Sequence, residues 1–534
     1  MKTDPPRLVR ALGPLMGIAL VVGTVIGSGV FKKPQAVADE LIRGNVSSFG
    51  LAALAWVLGG VLALLGALAL AEVAVLFPRA GGNYVFLRES YGRMAGFLFG
   101  WVEFWIIRSA SIAALASVFA ESAWAVLGEL THGGLAATLY QLAGSESGGE
   151  SLAFWVRQAG TVVVIAGLAL VNVRGVRWGG GLQLFITTVK VGSLVAIAVL
   201  PVLMVWRTPS PVNPENLRPV WPTWEQISWQ GLSHFGAALV GVLWAYHGWM
   251  NIAPVAEEVR APQRNIPLSL LGGVGIIIAL YLGANLAYSL VISQQEMTRM
   301  RDATPQDEDK EEADRADRAN PSVAIGFSRR MLGPIGLAVA AAAVMISVFG
   351  ALNGNLLVGP RVLYAMGEDS LAPRGVREIH PRYHTPARAI VVLAGWSVLL
   401  VLAAATFQQF VRPAWNAAAQ TRGYEGLPDK SLFDILTNFA IFGAVLFETL
   451  AVSSIFVFRF RLPRVERPYR CWGYPVVPAA YVLILSLVAA QMFINQTTEA
   501  LVGVAFIAVG ALVYAVLGRQ PSERGGGNGI RTVE

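Results

Sequence analysis

Long apolar runs separated by short polar connections make up most of the chain. A helix that crosses a bilayer needs about 20 predominantly apolar residues, and many of these runs reach that length. The hydrophobic pattern predicts twelve such segments, at residues 13–31, 50–77, 94–127, 153–173, 181–206, 233–256, 267–292, 331–358, 386–407, 432–458, 474–494 and 499–517. It therefore predicts an all-α integral membrane protein with twelve transmembrane helices.

Composition agrees with a membrane protein and argues against an enzyme. The 534 residues are 55% hydrophobic and 14% charged, whereas a soluble domain carries about 25% charged residues. The single cysteine, Cys471, excludes a disulfide, a cysteine zinc site and a CxxC redox pair within the chain. There is no Walker loop and no HExxH sequence, and the five histidines are not clustered. We therefore expect no enzyme activity and no cofactor.

The basic residues indicate topology. Lys and Arg are enriched in alternate connections, beginning with the N-terminal tail, so both termini are expected in the cytoplasm of a multi-pass cell-membrane protein (plasma or inner membrane). The net charge of +7 is then a feature of these loops and does not indicate a nucleic-acid partner. The polar loop 293–320 is expected outside as a solvated surface loop, and its spacing favours no metal site.

Two apolar segments contain interruptions. Residues 23–31 (GTVIGSGVF) hold three glycines and two hydroxyls, and residues 244–254 (WAYHGWMNIAP) hold a glycine, polar groups and a proline. Freed backbone groups in a membrane need partners, so such breaks occur where protein or a polar cavity surrounds them. The alternative explanation is close helix packing, since Gly23 and Gly27 form a GxxxG pair.

The positions of the two interrupted segments favour a transporter. They are the first and the sixth, so five-helix repeats beginning with them must be inverted relative to each other. Paired interruptions of this kind point to a substrate site near the midplane. Half-helix N-termini suit a carboxylate and exposed carbonyls suit an ammonium, so the predicted ligand is an amino acid.

Several motifs carry a family resemblance. They are GSGVF (27–31), LAEVAVLFPRAGGNYVFL (70–87), WVEFWIIR (101–108), the run 244–267, FGALNGNLLVGPRVLYAMGEDSLAP (349–373), HPRYHTPARA (380–389) and RPYRCWGYPVVP (467–478). Together they resemble the amino acid–polyamine–organocation superfamily, in particular its L-type amino acid transporter branch and bacterial serine/threonine exchangers.

The resemblance implies a 5+5 inverted-repeat fold with discontinuous helices 1 and 6 and two extra helices. On that basis residues 1–12 form a cytoplasmic tail, 13–517 a transporter domain and 518–534 a second tail. Within the domain, repeat one spans 13–206, repeat two spans 233–458 and the extra helices span 474–517. The implied function is secondary active transport of amino acids by alternating access, sodium-independent and favouring neutral substrates.

The same resemblance implies a set of substrate-site residues. Those that would surround the substrate backbone and its gate are Val25, Ile26, Gly27, Ser28, Gly29, Trp244, Tyr246, His247, Gly248 and Asn353. Trp244 would be the aromatic gate. His247 and Met250 depart from the residues that relatives carry, so the side-chain specificity stays open. Loop 128–152 has no cysteine, and no disulfide-linked heavy chain is expected.

Charged residues within the apolar segments are further candidates. Lys190 lies about 14 Å from the cytoplasmic end of its segment at 1.5 Å per residue, where a lysine costs about 2.5–3.5 kcal/mol. It resembles the lysine that takes the place of a sodium ion in sodium-independent relatives. Two roles stay open for it: proton exchange, or a fixed charge bonded to helix 1 carbonyls.

The other membrane charges are predicted less specifically. The five-residue spacing of Glu103 and Arg108 does not place them on one α-helical face, so each is expected to pair with another helix. Glu72 is a candidate for an inner gate, and Glu448 is unassigned. His247 can titrate near neutral pH, and substrate contact, proton coupling and a structural role are all open.

Three other functions fit the sequence less well than amino acid transport. A channel would need a continuous polar pore, which paired broken helices fit poorly. A membrane enzyme lacks the catalytic sequence motifs noted above. A polyamine or organic amine permease is the nearest rival, although few membrane carboxylates are available to bind two ammonium groups. The expected partners are therefore a small amino acid substrate and the lipid bilayer.

Overall fold

A computed structural model describes residues 7–131, 134–302, 322–421, 432–495 and 497–517. The first half contains α1 (Pro14–Val25), α2 (Gly29–Arg43), α3 (Phe49–Leu76), α4 (Asn83–Tyr91), α5 (Arg93–Val102), α6 (Ser109–Leu130), α7 (Gly134–Ala143), α8 (Glu146–Val173) and α9 (Val176–Met204). The second half contains α10 (Trp229–Tyr246), α11 (Pro262–Val291), α12 (Gln294–Asp302), α13 (Val323–Leu332), α14 (Gly336–Glu368), α15 (Ala387–Thr406), α16 (Arg412–Gln420), α17 (Leu432–Arg461), α18 (Val476–Asn495) and α19 (Thr497–Leu517).

The described chain is helical and apolar, as the hydrophobic pattern predicts. Ten helical stretches are long and apolar enough to cross a membrane, if consecutive helices such as α1 and α2 are counted as one stretch, and Ala500–Val516 is a shorter apolar helix. The α10 segment is not among these ten. The count of twelve transmembrane helices and the inverted repeats therefore stay predictions. Most of the acidic loop, residues 303–320, and the tail 518–534 lie outside the described residues.

The first predicted break lies between α1 and α2. Helix α1 ends at Val25, Ile26 is extended, and α2 begins at Gly29. A side chain at Gly29 would place its Cβ 2.9 Å from the Cα of Ala245. The glycine is therefore required because this break lies directly against α10.

The second predicted break follows α10. His247 has ψ of 145°, and Gly248 has φ of +100°, a left-handed conformation that glycine adopts without the steric cost of a Cβ. The chain continues as a 3₁₀ segment, Trp249–Glu258, which contains Pro254. Both interruptions predicted from glycine and proline content are thus present.

The packing brings the two breaks into the interior. Helix α1 packs against α9, α11 and α14, and α10 packs against α2 and α3. A π-helical turn, Glu103–Arg108, joins α5 to α6, and α6 packs along α14. The breaks are therefore surrounded by protein, which is the condition for interrupted helices at membrane depth.

Candidate functional site

A cavity lies between the two breaks, the π-helical turn with α6, and α14. Seven of the predicted site residues line it: Val25, Gly27, Ser28, Gly29, Trp244, His247 and Gly248. Residues that sequence reasoning did not assign to the site also line it, among them Arg108, Asn251 and Asn355. The structure therefore brings most of the predicted backbone site together and adds polar side chains to it.

Asn353 lies away from this cavity. It is fully buried, and its amide nitrogen donates to the Gly179 carbonyl at 3.1 Å and to Gln183 Oε1 at 2.8 Å. Its oxygen accepts a hydrogen bond from Asn172 at 3.0 Å. Asn355, two residues along α14, faces the cavity instead. Two residues correspond to about 200° of helical rotation, so the two amides point to opposite sides.

Ile26 and Tyr246 form hydrogen bonds with other helices on the side of the breaks that faces away from the cavity. The Ile26 carbonyl accepts a hydrogen bond from Ser347 at 3.2 Å, and Ser347 also donates to the Gly27 carbonyl at 2.9 Å. The Tyr246 hydroxyl donates to the Trp56 carbonyl at 3.2 Å. Neither Ile26 nor Tyr246 lines the cavity.

The backbone carbonyls and N–H groups at the two breaks differ in whether they have hydrogen-bond partners in the described protein. The hydroxyl of Tyr281 donates to the carbonyls of Val25 at 3.2 Å and of Ala245 at 3.0 Å, and so joins the two breaks. By contrast, the described backbone hydrogen bonds include none donated by Gly27, Ser28 or Gly29. The first N–H groups of a helix have no partner within it. The cavity therefore presents free donors at the start of α2.

Lys190 contacts the first break on the side that faces away from the cavity. Its ammonium donates to the carbonyls of Gly23 and Ile26, both at 2.7 Å, and its side chain is buried. Carbonyl oxygens freed by the helix break thus accept hydrogen bonds from the lysine nitrogen. The contact places this nitrogen at the end of α1 but outside the cavity lining.

Arg108 and Glu103 pair with each other, so the prediction that they lie on different faces was wrong, although Arg108 also contacts other helices as predicted. Both Nε of Arg108, at 2.7 Å, and its Nη2 donate to Glu103 Oε1. The reason is the π-helical turn, in which i→i+5 bonding places residues five apart on one face. The guanidinium also reaches Asn355 Oδ1 at 2.5 Å and Asn251 Oδ1 at 3.2 Å.

His247 forms a second ionisable pair at the cavity. Its Nδ1 lies 2.7 Å from Glu448 Oε1, and its ring is parallel to that of Trp244, with centroids 6.1 Å apart and 2° between the planes. Glu448 is 9% exposed, and Oε1 has no hydrogen bond of good geometry. The two adjoining cavities on the far side of His247 are also lined by both residues. The sequence pattern gives no partner for Glu448, because His247 lies in a remote part of the chain.

The end of the bundle that holds residues 7–13, the N-terminal face, is closed by contacts among remote segments. Arg361 Nε donates to Glu258 Oε1 at 2.8 Å, and both side chains have no exposed surface. The Glu258 carbonyl accepts the backbone N–H groups of Ala11 at 2.9 Å and Leu12 at 3.0 Å. The Leu12 carbonyl in turn accepts the N–H of Arg260 at 2.9 Å. The N-terminal segment, the second broken helix and α14 therefore meet at one buried ion pair.

Glu72 belongs to a separate ion-pair cluster. Its carboxylate accepts hydrogen bonds from Arg459 at 2.8 and 2.7 Å, lies 3.0 Å from Arg467 Nε, and accepts the Cys471 N–H at 2.7 Å. This arrangement fixes the end of α3 to the end of α17 and the following loop. Burial, with the Glu72 charge beside it, raises the pKa of the Cys471 thiol to about 11. The lone cysteine is therefore an uncharged structural thiol.

Metal chemistry has no support in the described part of the chain. No group of three or more His, Cys, Asp or Glu side chains is placed there to hold a metal ion. The polar groups that line the cavity include backbone N–H groups, two amides, one guanidinium, one imidazole and the hydroxyls of Thr24, Ser28 and Ser111. Groups of this kind can bind and orient a small zwitterion.

Comparison with known proteins gives one family. Residues 12–517 match the amino acid permease family. The serine/threonine exchanger of Bacillus subtilis (strain 168) is 28% identical over 96% of this chain and 98% of its own length. The human b(0,+)-type amino acid transporter 1 is 27% identical over 95% of this chain and 88% of its own length. The human cystine/glutamate transporter is 26% identical over 88% of this chain and 78% of its own length.

Proposed function

This chain belongs to the amino acid permease family and is an amino acid transporter of the membrane, and from that premise we propose that it is a sodium-independent exchanger that favours neutral amino acids. The observation that carries the proposal is the cavity between two broken helices, with free N–H donors on one side. Exchange would proceed by alternating access, in which one set of helices rocks against the other. The proposed architecture is the twelve-helix inverted-repeat fold with both termini in the cytoplasm.

The substrate carboxylate would bind at the start of α2. The N–H groups of Gly27, Ser28 and Gly29 have no acceptor among the residues that the structure describes, and the helix N-terminus carries partial positive charge. The ammonium would face the carbonyls of Val25 and Trp244. Each of these oxygens already accepts one protein hydrogen bond, from Tyr281 and from the His247 N–H respectively. A carbonyl has a second lone pair, so each can still bind an ammonium.

Sodium independence is proposed because of Lys190. Its ammonium is bonded to two carbonyls released by the first break. A sodium ion would need oxygen ligands of this kind, and here a covalently attached cation occupies them. The lysine would therefore supply, in every conformation, the charge that a sodium-coupled transporter gains only on binding its ion.

The test is uptake into proteoliposomes of a labelled amino acid panel. Vesicles are prepared with or without unlabelled amino acid inside, with sodium or choline outside, and with or without an inward proton gradient. The proposal expects uptake that requires internal amino acid and is equal in sodium and choline. Uptake that requires sodium, or accumulation driven by the proton gradient alone, would contradict exchange of this type. A panel in which amines move and amino acids do not would favour the organic amine permease.

Lys190→Met offers a direct check on the charge. The methionine has a similar length but cannot donate to the Gly23 and Ile26 carbonyls. Exchange is expected to fall at least tenfold with no rescue by lithium or potassium. The matched control is Lys32→Met, because Lys32 is only half-buried and lies in the first turn of α2, beyond the break. Equal loss in both variants would show that the Lys190 ammonium has no special role.

A further inference from the structure

His247 lies at the junction of three adjoining cavities. It lines the cavity between the breaks, an apolar cavity next to α3, α10, α17 and α18, and a smaller polar cavity that includes Glu103 and Arg108. Glu448 lines the second and third of these. A substrate whose backbone is held between the breaks would therefore have its side chain directed past His247 toward Glu448.

Few charged groups from the described part of the chain surround this pair. The π-helical turn contributes Glu103 and Arg108, which are paired with each other, and α18 contributes the hydroxyl of Tyr481. The lining residues from α1, α2, α3, α6, α14 and the rest of α17 are not titratable, and Tyr246 directs its hydroxyl to Trp56. Lys190 lies on the far side of the first break, bonded to carbonyls there.

The balance of charge leaves Glu448 dependent on one more positive charge. Arg108 is paired with Glu103, so among the described residues Glu448 has only His247 as a basic partner at ion-pair distance. Its Oε1 is buried and still lacks a well-formed hydrogen bond. A buried carboxylate at membrane depth is costly unless it is paired or protonated. One proton held by the His247–Glu448 pair satisfies this requirement, and so does a cationic group placed next to Glu448.

We propose that the His247–Glu448 pair carries one exchangeable proton when a neutral amino acid occupies the cavity, and releases that proton to solvent when the ammonium or guanidinium of a cationic amino acid enters beside Glu448. The charge of the site is then the same with either substrate. The transporter accepts both classes, and cationic amino acids are favoured as the pH rises. This inference rests on the proposed function, since it assumes that an amino acid binds between the breaks.

The first experiment measures the ratio of lysine to alanine exchange in proteoliposomes loaded with unlabelled alanine, between pH 5.5 and 8.5. The proposal expects this ratio to rise with pH, at most tenfold per pH unit because one proton is displaced. The second experiment adds lysine or alanine to the purified protein in weakly buffered detergent with a pH indicator. Lysine is expected to release about one proton per site, and alanine none.

Glu448→Gln tests the assigned carboxylate. The variant is expected to lower lysine exchange at least tenfold more than alanine exchange and to remove the pH dependence of their ratio. Glu448→Asp, which keeps the charge, is expected to retain lysine exchange. The matched control is Glu121→Gln, because Glu121 is an exposed carboxylate on α6 outside all three cavities. Size-exclusion profiles of the variants report on folding, and the wild-type pH series does not depend on them.

The outcomes separate the inference from the function on which it rests. If wild type exchanges no amino acid, the proposed function fails. If it exchanges alanine but never lysine, or if the lysine-to-alanine ratio is constant with pH and unchanged in Glu448→Gln, the function stands and the inference is overturned. Proton release by alanine equal to that by lysine would also overturn it.

Discussion

Removal of the Glu258 carboxylate should open the N-terminal face of the transporter. In the structure Glu258 and Arg361 have no exposed surface and form two contacts, at 2.8 and 3.2 Å. The substitution Glu258→Gln would leave the guanidinium buried without a counter-charge. Breaking a buried pair by removing one partner costs about 3–5 kcal/mol. An open conformation hydrates the guanidinium and avoids that cost.

The expected change in the ratio of open to closed conformations follows from this free-energy cost. Each 1.4 kcal/mol changes an equilibrium constant about tenfold, so the population ratio of open to closed N-terminal faces should rise by a factor of about 10² or more. The bonds of the Glu258 carbonyl to Ala11 and Leu12 remain, because they involve the backbone. They limit the effect but do not replace the lost charge.

The assay is chemical labelling from one side. Ala114, which lines the cavity, is replaced by cysteine in a Cys471→Ser background, and a membrane-impermeant maleimide is added to vesicles of known orientation. Labelling from the N-terminal side should be slow in the parent and at least tenfold faster with Glu258→Gln. The matched control is Glu378→Gln, since the Glu378–Arg388 pair is exposed and worth at most about 1 kcal/mol.

A double variant without either charge tests whether the unpaired charge causes the opening. Replacing both partners with apolar residues, Glu258→Leu with Arg361→Met, removes the unpaired charge, and such replacements are often neutral. Slow labelling should return in this double variant. If Glu258→Gln labels no faster than Glu378→Gln, or if the double variant stays open, the buried charge does not control closure of this face.

Three further predictions address other contacts. Gly29→Ala places a Cβ 2.9 Å from Ala245 Cα and should lower exchange at least tenfold, whereas Gly241→Ala, which meets open space, should have little effect in the same proteoliposome assay. In Arg108→Lys the single ammonium cannot contact Glu103, Asn251 and Asn355 together. The variant should therefore need a higher substrate concentration than wild type for half-maximal exchange, measured in a concentration series. An unchanged value would contradict a role of this cluster in shaping the cavity. Partial burial would raise the pKa of Glu296, but hydrogen bonds from Arg330 and Ser293 hold this pKa below its ordinary value. The resulting stabilisation is present above the unfolded-state pKa of about 4.5 and is lost as the pH falls through the folded-state pKa. Glu296→Gln should therefore lower the melting temperature at pH 7 more than at pH 3.5, and an equal effect at both pH values would refute this linkage.

The sequence predicted the features that depend on local backbone chemistry. Both breaks follow from glycine and proline within apolar runs, and seven predicted residues line the cavity between them. Lys190 was recognisable because a lysine deep within an apolar run needs a partner, and helix 1 carbonyls were among the partners considered. The breaks could be expected because each is set by residues next to it in the chain. Lys190 could be expected because a lysine inside an apolar run needs acceptors, although its partners Gly23 and Ile26 are remote in the sequence.

Features that depend on helix phase or on remote partners could not be predicted in this way. The Glu103–Arg108 pair was missed because α-helical spacing was assumed for a segment that forms a π-helical turn. Asn353 and Asn355 are two residues apart, and only the packing of α14 decides which of them faces the cavity. Glu448 approaches His247 from a helix two hundred residues away, so no local pattern indicates the pair.

The breaks also determine which part of a substrate the protein can bind most strongly. Protein donors already bind the carbonyls of Gly23, Val25, Ile26 and Gly27, through Lys190, Tyr281 and Ser347. The N–H groups of Gly27, Ser28 and Gly29 receive no such partner among the described residues. Buried donors without acceptors are costly, so the cavity is complementary to an acceptor, and a carboxylate suits it best. A substrate ammonium would then have to bind carbonyl oxygens that already accept a hydrogen bond from the protein. We therefore expect the substrate carboxylate to contribute more to binding than the ammonium. An amine that lacks a carboxylate should therefore bind more weakly than an acid whose ammonium is modified.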